Sequence, residues 1–65
     1  MTLQEQMVYY RAKHNLPQHE AAKRAMITLQ TWNQVERGMQ NPSRVTEAKI
    51  RYVIGEEAEN DRNDQ

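Results

Sequence analysis

Apolar residues along the chain fall into short helical stripes separated by polar breaks that carry Pro, Gly or a capping side chain. Leu3, Met7 and Tyr10 recur at i, i+4 and i+7, which is one face of a helix. Thr2-Leu3-Gln4-Glu5 in front of them has the capping-box form, with Thr as the cap and Glu reaching back to it. This helix should end near His14-Asn15, because Pro17 disfavours helical geometry at Leu16. A second helix opens at Pro17 or Gln18, where proline suits the first position and Glu20 suits the first turn. It runs to Ala25, and Ala21, Ala22 and Ala25 let another helix approach closely. At about two turns it depends on tertiary packing to survive.

Thr28 is a good N-cap for a third helix, Leu29 to about Glu36. Trp32 and Val35 or Glu36 should face inward, and Leu29, Gln30, Asn33 and Gln34 should be more exposed. Gly38 supplies the stop. Pro42-Ser43 opens a fourth helix with Ser43 as its cap, and Gly55 is expected to end it. Val45, Ile50, Val53 and Ile54 provide its apolar side. No stretch alternates as a strand does. The pattern predicts an all-α fold, a compact bundle of four short helices with room for a fifth.

The 65 residues fit one domain, with a thin core. Without cysteine, neither a disulfide nor a thiolate metal site can reinforce it. His14 and His19 are spaced wrongly for two ligands on one helix face, so no metal or other cofactor is expected. No segment has the length or apolarity of a signal peptide or a membrane span, which predicts a cytoplasmic product without a membrane partner.

The formal net charge of zero hides an asymmetry. Residues 1–55 carry eight Lys and Arg against four Glu, a net of +4. Residues 56–65 carry five Asp and Glu against Arg62, a net of −4. The division expected is a domain over 1–55 and an acidic, disordered tail over 56–65. A basic body with an acidic tail can accompany nucleic-acid binding. The tail could also compete with phosphate for the basic face.

Leu16 to Gly38 has the dimensions of a helix-turn-helix. Its second helix displays Thr28, Leu29, Gln30, Thr31, Asn33 and Gln34, with no charge between Thr28 and Val35. Gln and Asn can pair bidentately with the adenine edge, and an apolar group can pack on a thymine methyl. A surface helix stabilised for its own sake more often carries Glu–Lys pairs.

Residues 7–55 resemble the Cro and phage-repressor type of helix-turn-helix, the XRE family. Leu16-Pro17-Gln18-x-x-Ala21-Ala22 is similar to its LSQxxLA start of the second helix. Ile27-Thr28-x-x-Thr31-Trp32 is similar to its turn and third helix, Glu36-Arg37-Gly38 to its ErG ending, and Asn41-Pro42-Ser43 to its nPs. The resemblance implies a lambda-repressor-like fold that binds double-stranded DNA. It implies a transcription regulator, a repressor of phage or mobile-element type. Leu29, Gln30 and Gln34 would then meet base edges. Gln18, Thr28, Asn33, Arg37 and Gln40 would lie near phosphates, with Gln18 also bracing the reading helix. Arg11 and Glu36 would form a structural ion pair, whose disruption costs about 3–5 kcal/mol where such a pair is buried. A homodimer on a palindromic site would supply specificity, with half-sites about 34 Å apart.

Four positions depart from the family pattern. Met26 stands where the turn usually has Gly, and Pro17 replaces a capping Ser or Thr. Ala21 and Trp32 replace a larger and a smaller residue, so the indole should fill the space that the alanine leaves. The fifth helix of longer repressors is missing or replaced by the acidic tail.

Tyr9 and Tyr10 read as core or half-buried residues rather than DNA contacts. No P-loop, HExxH or nucleophile–base set is present, so neither an enzyme nor a small-molecule substrate is expected. The competing function is a protein-interaction module that keeps the helix-turn-helix but does not read DNA.

Overall fold

The computed structural model describes residues 1–63, with side chains through Gly55. Four helices follow one another, α1 (Leu3–His14), α2 (Gln18–Arg24), α3 (Leu29–Glu36) and α4 (Arg44–Asn63), and no strand occurs among the described residues. The protein is an all-α bundle.

Each of the four helix starts follows its local chemistry. Thr2 and Glu5 form a reciprocal capping box: the Glu5 N–H donates to Thr2 Oγ1 at 3.1 Å and the Thr2 N–H donates to Glu5 Oε1 at 2.8 Å. The Thr31 N–H donates to Thr28 Oγ1 at 3.1 Å, and the Thr46 N–H donates to Ser43 Oγ at 3.2 Å. Pro17 precedes α2 without a side-chain cap.

The first three helices end by one device, with a left-handed residue just past the helix and two backbone bonds running back onto it. After α1 that residue is Asn15 (φ 55), with the Asn15 N–H on Ala12 O and the Leu16 N–H on Arg11 O. After α2 it is Met26 (φ 59), with the Met26 N–H on Lys23 O and the Ile27 N–H on Ala22 O. After α3 it is Gly38 (φ 72), with the Gly38 N–H on Val35 O and the Met39 N–H on Gln34 O. These bonds satisfy the last carbonyls of each helix. Leu16 and Ile27, which follow Asn15 and Met26, then dock on the core. The turn without glycine is therefore not rearranged. Met26 takes the left-handed conformation itself.

Met7, Tyr10, Ala21, Ala22, Ala25, Trp32, Val35 and Ile50 form the core, with Leu3, Leu16, Ile27, Val53 and Ile54 packed at its edge. Trp32 and Ala21 are both fully buried.

Three expectations need correction. Tyr9 is 59% exposed, because the α1 stripe places Met7 and Tyr10 inward and turns Val8 and Tyr9 between them out. Val45 is 65% exposed, because Ile50, Val53 and Ile54 set the buried face of α4. Gly55 does not end α4, which continues to Asn63. Gly55 lacks the positive φ that Gly38 adopts. A glycine inside a helix costs about 1 kcal/mol against alanine, and Glu and Ala beyond it favour continuation. Residues 64 and 65 of the expected tail lie outside the described residues.

Candidate nucleic-acid interface

α2 and α3, joined by a short turn, form a helix-turn-helix in which the two helices pack more extensively on each other than any other pair. Ala21 and Ala22 of α2, with Ala25 at its C-cap, permit this, since they put almost no side chain between the helix axes. The packing turns one side of α3 inward through Trp32 and Val35 and presents the other outward.

Glu36, at the end of α3, is the hub that orients this unit. Its side chain retains 8% exposure and accepts four hydrogen bonds. Arg11 of α1 is bidentate, Nε to Oε1 at 2.9 Å and Nη2 to Oε2 at 2.8 Å. Trp32 Nε1 donates to Oε1 at 2.7 Å, and Gln18 Nε2 of α2 donates to Oε2 at 3.1 Å. Arg11 Nη1 also reaches the Leu16 carbonyl at 3.3 Å. One carboxylate thus ties α1, α2 and α3 together. Burial pushes the Glu36 carboxyl up, but the bonds from Arg11, Trp32 and Gln18 and the Arg11 charge outweigh it and hold the group below its ordinary range. The hydrogen bond to Glu36 raises Arg11 in turn, so both stay ionised.

The expected base-reading residues lie together on α3. Thr28, Leu29 and Gln30 are exposed in its first turn, with Leu29 at 50%. Gln34, half-buried, follows Gln30 one turn later on the same side. Arg37 is exposed at the end of the helix and Gln40 in the segment after Gly38.

Gln18 and Asn33 are less free. Asn33 Nδ2 donates to Gln18 Oε1 at 3.0 Å, so the two amides span α2 and α3 and connect to Glu36 through Gln18 Nε2. Each amide nitrogen carries a second hydrogen beyond the one these bonds use. Sequence reasoning overlooks this chain and also the Trp32–Glu36 bond, although the i, i+4 spacing of Trp32 and Glu36 is a usable signal. Arg11 and Glu36 are paired, and Gln18 bonds to both Glu36 and Asn33 of α3.

Two further features bound the site. Lys49 Nζ of α4 reaches the Met26 carbonyl in the turn at 3.5 Å. The outer side of α1 carries a shallow apolar concavity of about 720 Å³, lined by Met1, Val8, Tyr9 and Ala12 among others. Among the described residues no group of His, Asp or Glu could hold a metal ion, and no helix is long and apolar enough to cross a membrane.

No family model matches the chain, and no curated protein or solved structure is detectably similar to it.

Proposed function

We propose that this protein binds double-stranded DNA through α3, laid in the major groove, and acts in the cytoplasm as a transcriptional regulator of the lambda-repressor-like, XRE type. The observation that carries this reading is the outward row Leu29, Gln30 and Gln34. It is uncharged, amide-rich and held rigid from behind by the Glu36 network. Amide side chains there suit base edges, and Leu29 suits a thymine methyl. Thr28, Arg37 and Gln40 flank the row at the level of the backbone phosphates. Gln18 and Asn33 contribute their remaining N–H groups to phosphate while they keep α2 and α3 in register. Such contacts position the helix without reading sequence. A repressor of phage or mobile-element type is the role favoured by the resemblance.

The experiment is selection of bound duplexes from a random DNA pool at physiological salt, where non-specific binding is weak. Enrichment of a motif supports the reading, and a palindrome would give the spacing of two half-sites.

A second reading, a protein-interaction module without DNA affinity, draws on Met26, Leu29 and Met39. These apolar side chains are 50–78% exposed around the same helix. A folded chain that enriches no duplex would favour it.

A further inference from the structure

The outward row of α3 offers two kinds of chemistry and lacks two others. Glu36 is the only ionisable residue of the helix. Its carboxylate is occupied by Arg11, Trp32 and Gln18. The row therefore holds no Arg or Lys to fork onto the O6 and N7 of guanine, and no free carboxylate to accept from the N4 of cytosine. Arg37 stands at the far end, as the C-cap, whereas a reading helix meets base edges with its N-terminal residues.

Local bonds narrow the row further. Thr28 Oγ1 donates to Thr31 Oγ1 at 2.8 Å and accepts from the Thr31 N–H, so both hydroxyls serve the cap. Asn33 Nδ2 is committed to Gln18 Oε1. Gln30 and Gln34 have no such partner among the described residues, and each keeps an amide oxygen and an amide N–H side by side. That combination is what the N6 and N7 of adenine require. Leu29 is 50% exposed and lies outside the core cluster, and Met26 in the turn before it is 78% exposed. The C5-methyl of thymine is the apolar group that a base pair presents in the major groove.

We propose that the half-site read by α3 is built of A·T pairs, recognised by adenine edges at Gln30 and Gln34 and by a thymine methyl at Leu29. The inference rests on the DNA-binding reading and goes beyond it, since a helix-turn-helix can carry readers for any base. It removes guanine and cytosine as determinants, and it makes one methyl group a recognised part of the ligand.

The sequences enriched from a random duplex pool give the first measure. A·T pairs should occupy the positions that lose preference in Leu29→Ala, Gln30→Ala and Gln34→Ala. Single-group changes in the enriched duplex give the second. Deoxyuridine in place of the thymine removes only the methyl and should weaken binding about fourfold, the equivalent of one buried carbon. Leu29→Ala should be indifferent to that change. 7-Deazaadenine replaces N7 with C–H and should weaken binding about tenfold at the adenines of Gln30 and Gln34, but not in the matching alanine variant. A G·C pair at any of the three positions overturns the inference and leaves the DNA-binding reading standing. So does unchanged preference in all three variants, or a duplex whose affinity survives both deoxyuridine and 7-deazaadenine. Enrichment of no duplex overturns both.

Discussion

Trp32 and Glu36 lie one turn apart on α3, and the indole Nε1 donates to the carboxylate at 2.7 Å while its ring is fully buried. The residue that fills the core therefore also steers the carboxylate that receives Arg11 and Gln18. Core packing and helix orientation share one side chain.

Replacing Glu36 with Ala should cost about 3 kcal/mol, because it leaves the Arg11 guanidinium, the Trp32 N–H and the Gln18 amide without their acceptor in a largely buried place. Thermal or urea unfolding measures it. A loss below about 0.5 kcal/mol, the range of an ordinary surface change, would contradict the hub.

Acid should act through the same group. The folded-state pKa of Glu36 is depressed, so its contribution is complete above the ordinary glutamate value of about 4.3 and is lost as the pH falls through the lower folded-state value. Unfolding followed from pH 7 to pH 3 should show the native chain losing more stability than Glu36→Gln. Equal losses would assign acid sensitivity to other carboxylates.

Met26→Gly should stabilise the protein by about 0.5–1 kcal/mol. A left-handed residue with a Cβ is strained by about 1–2 kcal/mol, and the greater freedom of glycine when unfolded offsets part of the gain. The exposed methionine side chain contributes little that would be missed. A lower melting temperature in this variant would argue against a left-handed Met26.

For DNA, Gln30→Ala or Gln34→Ala should cost about 1–3 kcal/mol and relax preference at one base position. Arg37→Ala should weaken binding to all duplexes alike and reduce the salt slope by about one. Unchanged base preference in both glutamine variants would remove them from the reading role.

A chain ending at Gly55 retains the core residues from Leu3 to Ile54 that are found among the described residues. It should keep a cooperative thermal transition. Loss of the transition would show that residues beyond Gly55 support the fold.

Helix starts and the stop at Gly38 are legible in the sequence because capping chemistry is local. Thr2, Thr28 and Ser43 each find their partner within three residues. The end of α4 is not legible, since the same glycine that stops a helix when its φ is positive merely weakens one when it is not. Exposure of Tyr9 and Val45 depends on which stripe wins on helices with few apolar residues. Arg11 and Glu36 are 25 residues apart, and only the family resemblance joins them. The Gln18–Asn33 bond has no sequence signal at all, because it depends on how α2 crosses α3.

The two buried alanines of α2 and the buried Ala25 that caps it have a thermodynamic consequence as well as a steric one. An alanine has no rotamers to lose, whereas a buried leucine gives up about 0.5–1 kcal/mol of side-chain entropy on folding. Apart from Gln18, the face that clamps α3 is thus ordered with little side-chain torsion to freeze. In a domain this small, a modest apolar area can then hold the partner helix still.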